Sequence, residues 1–270
     1  MRPFTKTLIM VGVVAACVAL VAPAAGAAEA KPIRALVVTG GHDYDAKEFP
    51  KVFEGHDGIA AVQAPQKDST VFDSIDGWPY DAIVLYNFAQ GINEKQQANL
   101  LALLDKGVGL VILHHAVAAY PKWPEYRAIL GGRYYLDDEE EGGVKRPRCT
   151  YLHDVDFKVH VEDPDHPVTR GLSDFEIHDE TYHGYTMDPK VKVLLTTDEK
   201  TSEKAVAWCH PYKNAKVCFI QLGHDAKAYA NPAFPKLVAN AIRWVAGREA
   251  APAAPAPAAA PAAEKPKESP

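Results

Sequence analysis

Histidines and carboxylates in this chain gather at the ends of apolar runs, and that pairing supplies either proton donors and acceptors or the ligands of a divalent cation. The four runs are Ala35-Leu-Val-Val-Thr-Gly-Gly-His42, Gly109-Leu-Val-Ile-Leu-His114-His115, Phe175-Glu-Ile-His178-Asp179-Glu180-Thr-Tyr182 and Val217-Cys-Phe-Ile-Gln-Leu-Gly-His224-Asp225. If these are neighbouring strands pointing the same way, their carboxyl ends line the ligand crevice of a doubly wound sheet. On that reading His114, Glu180 and His224 are the catalytic candidates, and His42, Asp179, Tyr182 and Asp225 are substrate contacts. The same His114, Glu180 and His224 are the alternative ligand set for zinc or a similar divalent metal.

Each cluster excludes some chemistry. Gly40-Gly41 allows backbone N–H groups to approach an anion, but the G-x-G-x-x-G and Walker patterns are absent, so no nucleotide site is expected. His114-His115 occupies the place of a nucleophile elbow, with no Ser or Cys in the turn and no G-x-S-x-G, which disfavours covalent acyl transfer. Adjacent residues of an extended chain point to opposite faces, so one of the two enters the crevice; His114 is the choice, and His115 packs beneath. The stretch from His178 to His183 mixes nitrogen, carboxylate and phenol groups without an H-E-x-x-H spacing. His166-Pro167 through Arg170-Gly171 reads as a structural turn, and His56, His153, His160 and His210 have no supporting cluster.

The elements that must hold these groups follow from periodicity. Short β-branched runs predict strands over 33–39, 59–62, 80–86, 108–113, 157–161 and 191–197, with a hairpin from 205–210 to 216–222. The run 108–113 is apolar throughout, as in a central parallel strand covered on both faces. Asn93 caps an amphipathic helix with Leu100, Leu101, Leu103 and Leu104 on one face, stopped at Lys106-Gly107. Further helices are expected near 125–130 and 234–246, with a weaker one over 48–58. Asp137 to Glu141, followed by Lys145-Arg146-Pro147-Arg148, reads as a charged surface excursion. Early βαβ alternation followed by antiparallel elements predicts an α/β fold, a doubly wound, mostly parallel sheet with helices on both faces.

The ends have different compositions. Residues 1–30 have the form of an export signal, with Arg2 and Lys6, an apolar core from Leu8 to Val21, and a small-residue tail from Ala24 to Ala30. This predicts a periplasmic or extracellular protein, held at a membrane only if the signal stays uncleaved or Cys17 is lipidated. Residues 249–270 are mostly Ala and Pro, which cannot bury enough apolar surface to offset ordering entropy, and are expected to be disordered. Residues 31–248 between them suffice for one α/β domain. The net charge of −6 becomes −7 without the first thirty residues, and this mild acidity argues against a nucleic-acid surface. Cys149, Cys209 and Cys218 are expected as buried thiols, with a Cys209–Cys218 pairing as the alternative.

The chain resembles the ThuA-like, trehalose-utilisation family. The resemblance rests on Thr39-Gly40-Gly41-His42, Gly107-Val-Gly-Leu-Val-Ile-Leu-His114, the turn from His166 to Leu172, Asp179-Glu180-Thr-Tyr182, Leu222-Gly223-His224-Asp225 and Asn240-Ala-Ile-Arg-Trp244. It implies the class I glutamine amidotransferase-like (flavodoxin-like) fold and a carbohydrate substrate, a trehalose-like disaccharide or its keto derivative. The elbow cysteine of that superfamily is replaced here by Leu113-His114-His115, so glutaminase activity is not expected.

Two functions fit. An exported enzyme would use Glu180 or His114 as base on a keto-glycoside, with His42, His224 or a bound divalent metal stabilising the enolate oxygen. A non-catalytic sugar-binding protein of the cell envelope would instead stack Trp78, Trp123, Tyr182 and Tyr229 on the sugar.

Overall fold

The computed structural model describes residues 31–249; the expected signal segment and nearly all of the Ala/Pro tail lie outside them. The strands in chain order are β1 (Ile33–Gly40), β2 (Ile59–Pro65), β3 (Ala82–Asn87), β4 (Gly109–Leu113), β5 (Gly132–Arg133), β6 (Glu139–Glu141), β7 (Val144–Arg146), β8 (Thr150–Val161), β9 (Phe175–His183), β10 (Thr186–Met187), β11 (Lys192–Thr197), β12 (Ala205–Tyr212) and β13 (Ala215–Ile220). The helices are α1 (Glu94–Asp105), α2 (Pro124–Leu130), α3 (Ala226–Ala230) and α4 (Ala233–Val245). Nine strands form the main sheet in the order β2-β1-β3-β4-β13-β12-β11-β8-β9. The first five are parallel, in the order of a doubly wound fold, and the last four alternate in direction.

The continuous apolar runs are explained by two cores, one on each face. Along β3, Val84 and Tyr86 face the layer containing Leu237, Ala241 and Val245 of α4, while Ile83 and Leu85 face Leu100, Leu103 and Leu104 of α1. Burying each such Leu, Ile or Val contributes about 1.5–3 kcal/mol, so strands apolar on both sides are drawn to the centre. Asn93 caps α1 through a reciprocal capping box with Gln96, as its residue type predicts.

Three expectations change. The helix expected over 48–58 shrinks to a 3-10 turn over Phe49–Phe53, and Gly55 and Gly58 beyond it adopt positive φ. The acidic excursion is a hairpin of β6 with β7, and its Glu141 lies among Arg127, Arg133 and Arg146 rather than in open solvent. The run from Phe175 does not stop before its polar cluster: β9 continues through Asp179, Glu180 and Tyr182, paired with a β8 much longer than the 157–161 segment. β11 pairs only with the last residues of β8, from Val159 to Val161, so most of the β8–β9 ribbon extends beyond it. Among the described residues no helix is long and apolar enough to cross a membrane.

Candidate functional site

β4 ends at Leu113, and His114 follows in the left-handed region at φ 50° before the turn His114–Ala118. A non-glycine residue there costs about 1–2 kcal/mol, and such strain persists where surroundings over-determine it. Here His114 Nδ1 donates to the Gln221 carbonyl at 2.7 Å, so its Nε2 faces the site, 2.8 Å from the Tyr182 hydroxyl. The loop after β13 supplies His224. Gly223 in that loop has φ 111°, and a Cβ there would lie 2.4 Å from the Phe234 ring, so only glycine fits.

β9 supplies the carboxylate. Glu180 and Tyr182, two residues apart, lie on the same face of the strand. Glu180 Oε2 is 2.9 Å from His114 Nε2 and 3.1 Å from His224 Nδ1, and those two nitrogens are 3.2 Å apart. Burial raises the Glu180 carboxyl, but its hydrogen bonds with His114 and His224 outweigh that and hold it well below the usual carboxylate range. The same bond raises the His224 imidazole above its ordinary value, against burial.

The other oxygen, Glu180 Oε1, accepts from His153 Nε2 at 2.8 Å. His153 reaches it through a β-bulge: the β8–β9 register shifts between Leu152 and Val155, and Asp154 takes φ 57°. Bulges re-aim side chains in this way. The sequence showed His153 only as a histidine with no supporting cluster, and the bulge leaves no composition signal.

A pocket of about 310 Å³ adjoins this cluster. Its polar wall includes His42, His115, Arg148, His153, Glu180 and Tyr182, and its apolar wall includes Phe88, Val117, Tyr134, Leu136 and Tyr151. His114 and His224 stand behind Glu180 and do not line it; the His114 side chain is 0% exposed.

Two expected substrate contacts are placed elsewhere. Asp179 is buried, and its carboxylate accepts from the Gly223, His224 and Glu180 N–H groups at 2.7, 2.9 and 2.8 Å, so it clamps the β13 loop to β9. Burial pushes its pKa up, opposed by His114 and these N–H bonds. Asp225 caps α3, accepting from Lys227 N and Ala228 N. Both carboxylates are occupied by backbone donors and neither lines the pocket.

The aromatic set also changes. Tyr182 lines the pocket, but Tyr229 is bonded to the Tyr86 hydroxyl, Trp78 packs on Phe72 and Tyr80, and Trp123 lies against Tyr126 beside a separate cavity. His115, expected to pack beneath, reaches the pocket wall because the chain turns at His114 instead of continuing extended. His178 bonds Asp154 and Asp156.

The donor set suits a cation. The Gln221 carbonyl can only accept, so the His114 ring carries its hydrogen on Nδ1 and its neutral form aims a lone pair at the Glu180 carboxylate. Electron pairs of two imidazoles and a carboxylate converge, which requires positive charge among them, as protons or as a divalent ion. Ligand atoms around a four-coordinate zinc at about 2.0–2.1 Å stand roughly 3.3 Å apart, close to the separations here. The His114–Gln221 bond is the kind of support that orients a metal-bound imidazole.

Fold and site define a doubly wound α/β protein with histidine at its elbow in place of a nucleophile. The cysteines among the described residues offer no substitute: Cys149, Cys209 and Cys218 are free and buried, and burial pushes the first two up to about 11 and the third well above its ordinary value. Residues 34–245 match the family model described as ThuA, trehalose utilisation, and the chain belongs to that family.

Among solved structures, a ThuA-like protein from Parabacteroides merdae is 22% identical, with a TM-score of 0.67 over 80% of this chain and 90% of that one. A ThuA-like protein from Bacteroides uniformis is 21% identical, with a TM-score of 0.60 over 83% and 95%. A cytoplasmic protein from Salmonella typhimurium shares the fold at 14% identity, with a TM-score of 0.56 over 79% and 99%. No curated protein matches the chain.

Proposed function

We propose that the protein is an exported carbohydrate-processing enzyme acting on a trehalose-like glycoside or its keto derivative. The observation that carries this reading is the convergence of His114, His224 and His153 on the two oxygens of Glu180 at one end of a pocket of about 310 Å³. Titratable groups coupled in this way inside a cleft are characteristic of acid–base sites.

The geometry divides the work. Glu180 is held ionised and is therefore a weak base, and His114 has no exposure to substrate. His153 is half exposed, lines the pocket and is oriented by Glu180, so it is the group that takes and returns a proton. A keto group on the sugar acidifies the adjacent C–H; His153 removes that proton, and electrons move to expel the anomeric oxygen. A divalent ion, when bound by His114, Glu180 and His224, would supply Lewis-acid stabilisation of developing negative charge on the ketone oxygen.

The test is elemental analysis of protein purified without a metal-binding tag, beside the His114→Ala, His224→Ala double variant. Stoichiometric metal in the parent and none in the variant is the outcome expected for metal-assisted chemistry. Metal in neither leaves acid–base chemistry alone, which Glu180→Gln then probes: turnover of a keto-glycoside should fall about 10²–10⁴-fold with binding retained. Unchanged turnover would overturn the reading.

A further inference from the structure

The basic run after the acidic hairpin ends in an arginine that the site described above does not use. Arg146 joins the group around Glu141, but Arg148 is exposed, lines the pocket, and makes no ion pair or hydrogen bond through its guanidinium with any described residue. The backbone that carries it is pinned on both sides. Its own N–H donates to Asp138 Oδ1 at 2.8 Å, and the Cys149 N–H donates to the Tyr135 carbonyl at 2.9 Å. The charge is felt at the pocket wall: burial raises the Tyr134 hydroxyl, Arg148 opposes that rise, and the Tyr134 ring stands edge-on to Tyr182 with centroids 5.5 Å apart. Nothing in the pocket answers this charge. The one carboxylate among its lining residues is Glu180, whose two oxygens are already taken by His114, His224 and His153. An arginine so placed presents a planar fork of N–H donors, which matches the paired oxygens of a carboxylate or a phosphate.

We propose that the substrate carries an anionic group, a carboxylate or a phosphate ester on a sugar ring, and that Arg148 binds this group and so selects anionic over neutral glycosides. The inference rests on the carbohydrate reading and deepens it. Removal of a C–H proton by His153 needs no charge on the substrate, so Arg148 acts on binding and specificity rather than in the chemical step. A neutral sugar leaves the guanidinium to solvent, whereas an anionic one gains two charge-assisted hydrogen bonds at a wall that holds no competing carboxylate. Because the side chain is exposed, the attraction weakens as salt screens it.

The experiment is calorimetric titration of four sugars into the parent protein and into Arg148→Gln and Arg148→Lys: trehalose, its keto derivative, trehalose 6-phosphate, and the trehalose derivative with a carboxylate at the same carbon. The Asp138 bond is made by the main-chain N–H, so both substitutions leave it in place. At low salt the parent should bind at least one of the two anionic sugars about tenfold more tightly than the neutral ones, the factor carried by roughly one hydrogen bond to a charged group. Arg148→Gln should abolish that preference, and Arg148→Lys should keep part of it, since lysine retains the charge without the fork. A preference for the phosphate identifies a sugar phosphate as the substrate class, and a preference for the carboxylate identifies a uronic acid; either supports the inference. Equal or weaker binding of both anionic sugars by the parent, or a preference that survives in Arg148→Gln, overturns the inference and leaves the carbohydrate reading intact. Failure of the parent to bind any of these sugars overturns the carbohydrate reading, and this inference with it. If Arg148→Gln does not fold, a crystal structure of the parent with the tighter anionic sugar decides: the anion on the Arg148 guanidinium supports the inference, and the anion elsewhere overturns it.

Discussion

The two halves of the sheet bring side chains to the site around Glu180 by different geometry. In the parallel half each group comes from a strand end: His42 after β1, His114 and His115 after β4, His224 after β13. Crossover connections put all those carboxyl ends on one side, so a shared crevice is built into the topology. In the antiparallel half the groups come from mid-strand, with Glu180 and Tyr182 on one face of β9 and His153 brought opposite by the bulge in β8. The crevice of the parallel half is closed by a ribbon that carries the carboxylate. The two contributions fail differently: a loop change removes one strand-end group, whereas a one-residue slip of β9 would turn Glu180 and Tyr182 away together.

The sharpest test of this contrast is the clamp between the halves. Asp179→Ala should cost about 3 kcal/mol by urea unfolding, because it strands the buried Gly223 and His224 N–H groups that its carboxylate now accepts. Hydrogen exchange should rise around Glu180 and Tyr182 while β1, β3 and β4 keep their protection. A uniform rise across the sheet would show that the ribbon is no separate unit.

The His224–Glu180 pair provides a smaller effect with a definite sign. The folded pKa of His224 is raised above 6.5, so its contribution to stability is complete below that value and is lost as pH rises through the folded pKa. Glu180 is depressed below 4.5, so its contribution holds above that value and fades as pH falls through its folded pKa. The metal-free protein should therefore lose stability relative to His224→Ala as pH rises from 6 to 9, read from urea midpoints. Parallel profiles would mean that the pair does not form in solution.

The smallest effect is expected on the outer side of the ribbon. Leu152 is 50% exposed beside the bulge, and Leu152→Ser should change stability by no more than about 0.5 kcal/mol. A larger loss would show that this face is covered by something in solution.

The parallel half was legible because burial on both faces writes a continuous apolar run, and β3 and β4 lie at the centre of the sheet as such runs predict. Asn93 and the Leu face of α1 were legible for the same kind of local reason. His153 was not, since it lies on a polar strand and gains its partner only when the bulge turns it toward Glu180, a residue 27 positions away. Asp179 and Asp225 looked like ligand contacts by residue type. They serve backbone N–H groups whose positions depend on how the β13 loop and α3 are placed.

Composition and periodicity determined the doubly wound class, the absence of a cysteine or serine nucleophile at the elbow, and which strand ends carry histidine, because these depend on residue type and near neighbours. Tertiary structure decided which carboxylate meets those histidines and which one clamps a loop, and it turned His115 to the pocket wall through the left-handed backbone at His114. Those outcomes depend on register, a bulge and a loop closing over long sequence separations. A pattern of period two cannot record where a strand end meets the middle of a distant strand.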